Sequence, residues 1–282
     1  MIHVVIPVHN RLELTIDCIG SLKKQEGVNN LNLIVVDDGS TDGTGEYFKN
    51  INDVTILKGN GNLYWCGAIN YGIEHVLKIS NLNDWVLIVN NDVILKNNSI
   101  LNLLDIAKKN NRKALVSSLT LSKEDRKTVI KSGTIVESWF LNKTNHMYSG
   151  YDINKIINKD PINVDFLTGR CVLHPVEIFS KVGNYDYKTF QHYGGDDEFS
   201  MRVKQSGFAT LLCPSSIVYL NSNNTKELNR SILIFFYTLF NIKSSSNIIN
   251  KFKLTLKVVP YYAKLTFFII GIMKSIYIFL KR

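Results

Sequence analysis

The sequence has no Cys-x-x-Cys pair. Its four cysteines, Cys18, Cys66, Cys171 and Cys213, are scattered along 282 residues, which argues against a zinc site or a disulfide framework and suits a reducing compartment. No basic stretch and apolar run precede the first strand, so no secretory leader is expected. The usual glycine-rich nucleotide loops are missing too. Gly59-x-Gly61 lacks the third glycine of the dinucleotide fingerprint, and Gly39–Gly45 lacks the Lys-Ser/Thr of a P-loop. Acids almost vanish beyond Asn221, where ten of the 33 basic residues stand with one acid, Glu227. The net charge of +9 sits wholly in that tail, and the first 221 residues are neutral. A neutral body with a basic tail points to an interaction of the tail alone.

What is present reads as a folded α/β protein, 45% hydrophobic and long enough for one large domain or a domain with an extension. Apolar strands are predicted at Ile2–Val8, Leu31–Val36, Val54–Leu57, the Trp85 run and Ala114–Leu119. Helices are predicted at Arg11–Lys24, from Thr41 or Asp42 to Lys49, at Leu63–Ile79 and around Leu101–Ala107. This alternation implies a parallel sheet with right-handed crossovers. Further on, strands are expected within Thr128–Val136, a long loop at Trp139–Ile157, and a helix starting at Pro175 and running through Lys181.

Three strands end in polar residues, at Pro7–Asn10, Asp37-Asp38 and Asn91-Asp92. Parallel strands bring such ends to one edge of the sheet, where ligands bind. Adjacent acids repel one another, and a ribose, a base or a cation would give them partners. Asn90-Asn91-Asp92 also reads as plain turn chemistry, with Asp92 capping the next helix. Gly194-Gly195-Asp196-Asp197-Glu198 runs into a helix carrying Arg202. Acids at a helix start gain roughly 0.3–1 kcal/mol each from the macrodipole, which accounts for the acids but not for the glycines.

In their order, IPVHNR, DDGS, GNGNLYWCGAINYG, NND, FLTGR and GGDDEFSMR resemble family 2 glycosyltransferases, over about Ile2 to Tyr219. In pattern they look like bacterial rhamnosyl- or galactofuranosyl-type enzymes of surface polysaccharide synthesis. The resemblance implies a GT-A fold, Rossmann-like, and an inverting enzyme that uses a nucleotide-sugar donor, UDP- or dTDP-linked. It implies that Pro7, His9, Asn10 and Asp38 contact the donor nucleoside, with Gly61, Asn62 and Asn70 in the segment passing near it. His9 stands where the family often has an aromatic, so it either stacks on the base or is merely exposed. Asn91-Asp92 matches the metal-binding pair, with Asp92 the single carboxylate for Mg²⁺ or Mn²⁺. Asp196 matches the catalytic base, with Asp197 its rival and Glu198 the next acidic position. Thr168, Gly169 and Arg202 match the acceptor and donor-sugar side. Trp65 is read as core. The histidine often found after the last strand is replaced around Tyr219-Leu220-Asn221.

The tail, residues 222–282, reads as an extension to a catalytic domain of residues 1–221. Ser231–Phe240 and Leu265–Leu280 are strongly apolar. The second has 16 residues between lysines, about 24 Å of helix at ~1.5 Å per residue, short of a ~30 Å hydrocarbon core. Lys264, Lys274, Lys281 and Arg282 fall in one sector, a basic stripe that fits a helix lying in a membrane interface. A hairpin packed on the domain or in a homodimer is the alternative. The expected partners are thus a nucleotide sugar, a glycan or lipid-linked acceptor and a membrane surface, without nucleic acid, and the expected location is the cytoplasm at the inner face of the cell membrane. The rival functions are a non-catalytic nucleotide-sugar-binding scaffold and a nucleotidyltransferase. The latter would want a basic loop near the first strand, where only Arg11 stands.

Overall fold

A computed structural model describes residues 1–130, 132–221 and 232–281. The chain opens β1 (Ile2–Val8), α1 (Leu12–Lys23), β2 (Leu31–Asp37), α2 (Thr44–Lys49), β3 (Val54–Lys58), α3 (Tyr64–Ile79) and β4 (Trp85–Val89). Then come β5 (Val93–Leu95), α4 (Ser99–Lys109), β6 (Ala114–Leu121), β7 (Gly133–Ser138), β8 (Lys143–His146), β9 (Ile162–Asn163), β10 (Phe166–Leu167) and β11 (Cys171–Pro175). α5 (Glu177–Val182), α6 (Gly195–Gln205) and β12 (Ala209–Leu220) follow. Beyond these lie α7 (Ile232–Phe240), α8 (Ile248–Val258) and α9 (Lys264–Lys281).

The main sheet runs β3-β2-β1-β4-β11-β6-β12-β5, with β9 added on β12, and β10-β7-β8 form a small second sheet. β1, β2, β3 and β4 are parallel neighbours, which brings the ends of β1, β2 and β4 to one edge. Apolar runs make this possible because both sheet faces are covered. Along β1, Ile2, Val4, Ile6 and Val8 pack with Cys18, Ile19 and Leu22 of α1. Val5 faces the other way, onto Ile69, Ile73 and Val76 of α3. Each such buried side chain contributes about 1.5–3 kcal/mol. The four cysteines are buried and free.

Three strands of the main sheet depart from the parallel expectation, among them β9, antiparallel to β12. β11 inserts antiparallel between β4 and β6, and β5 pairs antiparallel with β12. Pro175 was expected to open a helix. It instead closes β11 opposite Trp85, and α5 begins at Glu177. The expected loop at Trp139–Ile157 contains β8 and a 3-10 turn at Ile153–Lys155. β7 and β8 form a hairpin.

The described part of the tail carries α7, α8 and α9. Asn247 caps α8 by accepting from the Asn250 amide at 2.8 Å, and Pro260 separates α8 from α9. The apolar helical run Tyr261–Leu280 has 20 residues and a mean hydropathy of 1.7. It is longer than the lysine-bounded run read from sequence, and by length and composition it could cross a membrane. Of the basic stripe, Lys264 donates to the Leu256 carbonyl of α8 at 2.7 Å, and Lys274 donates to the Asn142 carbonyl. Their ammoniums thus serve protein carbonyls, while Leu265 (72% exposed), Met273 (61%) and Leu280 (75%) stand in solvent. The boundary expected at residue 222, together with Lys226, Arg230, Ser231 and Arg282, lies outside the described residues.

Candidate active site

The floor of the site is made by strand ends. After β1 the backbone turns through two left-handed residues, Asn10 (φ 61°) and Arg11 (φ 67°). The Asn10 carbonyl oxygen Oδ1 accepts from the Thr41 amide at 2.9 Å, and the Asn10 amide donates to Ser40 Oγ at 2.8 Å. Asn10 therefore ties two loops together and does not line the site. After β2, Asp38 is buried, and its Oδ1 and Oδ2 accept from the Gly61 amide at 2.8 Å and the Tyr64 amide at 3.0 Å. His9 Nδ1–H donates to the Asp38 carbonyl at 2.7 Å. A Cβ on Gly39 would lie 2.9 Å from Gly61 Cα, so the two loops can touch only without one. Around them opens a cavity of about 310 Å³, lined by Pro7, His9, Asp38, Gly61, Tyr64 and Lys243 among others.

A second cavity of about 680 Å³ continues from it, lined by Asp92, Thr168, Gly169, Asp196 and Asp197 among others. Asp196 lies in the first turn of α6. Its Oδ2 accepts from the Gly169 amide at 3.2 Å and its Oδ1 from the Asp197 amide at 3.1 Å. The preceding glycines have packing reasons of their own. Gly194 is left-handed (φ 92°), and a Cβ on Gly195 would sit 2.7 Å from Cys66 Sγ. Thr168 Oγ1 donates to the Ser132 carbonyl at 2.8 Å, which fixes the turn.

Pro7, Arg11, Trp65, Asn91 and His192 line both cavities and mark their junction. Trp65, read as core from the sequence, packs against the core cluster and also lines both cavities. It is half-buried, and its Nε1–H donates to Asn90 Oδ1 at 2.8 Å. Arg11 Nη1 lies 3.5 Å from Asp92 Oδ2. His192 escaped the sequence reading, although it stands two residues before Gly194. Its Nδ1 is buried without a hydrogen-bond partner among the described residues. Burial, then the charges of Lys243 and Arg11, hold its pKa below the usual histidine value. Lys243, also unforeseen, comes from the tail and lies 5.7 Å from the Tyr64 ring centroid.

The sequence profile described as "Glycosyl transferase family 2" matches residues 3–183. The chain belongs to family 2 of the glycosyltransferases. A 104-residue stretch is 34% identical to "Glycosyltransferase GlyG" of Streptococcus pneumoniae serotype 4 (strain ATCC BAA-334 / TIGR4), covering 36% of this chain and 33% of that protein. In fold, the chain is similar to the crystal structure of GalNAc-T7 with UDP, GalNAc and Mn²⁺, with a TM-score of 0.63 at 16% identity. That match covers 95% of this chain and 53% of the other. The chain thus spans about a third of the curated relative and about half of the solved one. The shared architecture is GT-A, with a mixed, mostly parallel sheet flanked by helices.

Several residues that the resemblance assigned to the site lie elsewhere in this chain. Asn70 is buried on α3, where its Nδ2 donates to the Tyr185 carbonyl at 2.9 Å. Asn62 is exposed on its loop and lines neither cavity. Glu198 and Arg202 form a two-bond fork, Nε to Oε1 at 2.9 Å and Nη2 to Oε2 at 2.8 Å. Arg202 also donates to the carbonyls of Val182 and Asn184. The pair pins α6 to the end of α5, and neither residue lines the cavities.

The side chains present suit a cation shared with a ligand. Among the described residues no group of three His, Cys, Asp or Glu side chains could cage a metal. Asp92 supplies one carboxylate. Thr15 Oγ1 spends its hydrogen on the Arg11 carbonyl at 3.0 Å, so it accepts from Asn91 Nδ2, also at 3.0 Å. This leaves the Asn91 carbonyl oxygen to face a ligand. One carboxylate, a carbonyl and substrate phosphates form a donor set that Mg²⁺ accepts.

Proposed function

We propose that this transferase moves a sugar from a nucleoside diphosphate donor to a hydroxyl of a glycan or lipid-linked acceptor, by one displacement with inversion, in bacterial polysaccharide synthesis. The observation that carries the reading is the shared wall of the two cavities. A donor with its nucleoside beside Asp38 and its sugar toward Asp196 would have its diphosphate between Pro7, Arg11, Trp65, Asn91 and His192. The expected donor is a UDP- or dTDP-sugar, with its base and ribose against Pro7, His9 and Asp38. Each Asp38 oxygen keeps a further lone pair beside the loop amide it already holds.

An acceptor hydroxyl is a weak nucleophile until its proton is removed as the bond forms. Asp196 takes that proton, with its oxygens held in place by two backbone amides. The leaving diphosphate gains negative charge, which the guanidinium of Arg11 and the ammonium of Lys243 face. When bound, Mg²⁺ or Mn²⁺ supplies Lewis-acid neutralisation of that charge, with Asp92 and the Asn91 carbonyl oxygen as its protein holders. The apolar outer face of α9 supports attachment as a peripheral protein at the inner face of the cell membrane, with a homodimer the outcome to watch for in solution.

The test is thermal unfolding with UDP, dTDP, GDP and CMP, each with Mn²⁺ or with EDTA. A nucleotide at ~100 times its Kd adds ~2.7 kcal/mol of stability, which is several degrees for a chain of this size. A shift with one nucleotide supports the donor site. A folded sample that responds to none would turn the reading toward a non-catalytic scaffold.

A further inference from the structure

The tail does more than hang from the domain: it forms one wall of the larger cavity. Asn247, Asn250, Lys251, Phe267, Phe268 and Ile278 line the same space as Asp196 and Asp197. α8 reaches there because Val258 packs with Phe166 and Met201, with Leu254 and Trp139 closing around them. α9 is held by Trp139 against Phe267, at 5.7 Å between centroids, and by Asn142 Nδ2 donating to the Phe267 carbonyl at 2.9 Å.

Two donors in this wall lack the partners their burial calls for. Lys251 is in no ion pair among the described residues, and there its ammonium donates only to Ser275 Oγ. Ser275 is neutral, and its own hydrogen goes to the Gly271 carbonyl at 3.0 Å. Beside Lys251, Asn250 Nδ2 is buried without an acceptor among the described residues. A desolvated ammonium with one neutral acceptor is costly to keep unless an anion joins it. Burial also holds the Lys251 pKa below the usual lysine value, as an empty anion site would. Along α9 the same cavity is lined by Phe267, Phe268 and Ile278, with Lys274 among them.

We infer that Lys251 and Asn250 form an anion site for the phosphate of an acceptor carried on a long apolar chain, with the chain lying along α9 and the acceptor sugar directed toward Asp196. This rests on the reading of the two cavities as a glycosyl-transfer site, and it narrows the acceptor to an amphiphile with a phosphate between glycan and lipid. An acceptor without a charge would leave Lys251 and Asn250 as they are, and one without a chain would leave the aromatic wall unused.

The test measures binding of the full chain, held in neutral detergent, to farnesyl phosphate, farnesol and inorganic phosphate. Farnesyl phosphate should bind at least about tenfold more tightly than either of the others. Lys251→Met should erase most of its advantage over farnesol, and Lys251→Arg should restore it. Equal binding of farnesol and farnesyl phosphate, or an advantage that survives Lys251→Met, overturns the site. Inorganic phosphate binding as tightly as farnesyl phosphate overturns the lipid assignment. Stabilisation by a nucleoside diphosphate, measured on the same samples, checks that Lys251→Met is folded. If the wild-type chain shows no such stabilisation, the glycosyl-transfer reading fails, whatever the prenyl phosphate does.

Discussion

The Gly169 amide donates to Asp196 Oδ2 at 3.2 Å, which joins the loop after β10 to the first turn of α6. With the Asp197 amide on Oδ1, it fixes how the carboxylate faces the cavity. Asp196→Asn keeps the size and one acceptor oxygen but cannot take a proton. Transfer should fall by roughly 10²–10⁴-fold, while nucleotide-induced stabilisation stays within about twofold of wild type. Near-normal turnover in this variant would move the base to Asp197, for which Asp197→Asn is the matching control.

Gly169 has a second neighbour. A Cβ there would lie 2.6 Å from Trp65 Cη2. Trp65 is tied to Asn90 through its Nε1–H and cannot withdraw without breaking that bond. Gly169→Ala should therefore displace the wall between the two cavities and shift the amide that orients Asp196. Misplacement of about 1 Å can cost on the order of 10²-fold. Turnover should drop by that order, with a smaller change in Tm than in kcat. A variant with full turnover would show that the Trp65 wall is not needed in place.

The strands and the acids were legible because residue type and place coincide. A run such as Trp85–Val89 reads as a buried strand wherever it stands, and Asp38, Asp92 and Asp196 sit just beyond strand ends or at a helix start. Asn70, Glu198 and Arg202 were misplaced for one reason: a helix shows all its faces in sequence, and only packing decides which face meets the cleft. Trp65 packs on the core and faces the cleft at once, which no sequence pattern distinguishes. His192 and Lys243 are about fifty residues apart and meet only through the fold, so neither had a local signal. β11 was hidden by its terminal proline, Pro175, which reads as a helix start.

Glu198 and Arg202 give the clearest separation of structure from chemistry. Breaking a buried pair costs roughly 3–5 kcal/mol. Arg202 keeps the carbonyls of Val182 and Asn184 as acceptors, so Glu198→Gln is expected to cost on the order of 2 kcal/mol. That should lower Tm by about 4–8 °C. Turnover per folded molecule, measured well below the transition, should change less than about threefold. An unchanged Tm with a hundredfold loss of turnover would place Glu198 in the reaction itself.

His174 sets a pH dependence that can be read without any substrate. It sits inside β11, fully buried, against Phe179 and Phe199, which also stack on each other. Its Nδ1–H donates to the Val172 carbonyl at 3.0 Å, and its Nε2 accepts from the Tyr185 hydroxyl at 3.1 Å. Burial pushes its pKa down from 6.5 to about 4. Between those values the unfolded chain holds a proton on this residue and the folded chain does not. Its contribution is therefore whole above about pH 6.5 and is lost as pH falls toward 4, at up to about 1.4 kcal/mol per pH unit. The same direction holds for His192 and His3, whose pKa values burial also lowers. Asp84, drawn down to about 2, weakens the fold only in a separate window, below its unfolded value of 3.8. Denaturant unfolding at pH 7, 6 and 5 should show stability falling with acid in the wild type. His174→Phe keeps an aromatic ring against Phe179 and Phe199 and should flatten that slope by about one proton, whatever constant loss the unpaired Tyr185 hydroxyl adds at every pH. Parallel slopes in the two proteins would mean that His174 takes up its proton in the folded state as readily as in the unfolded one.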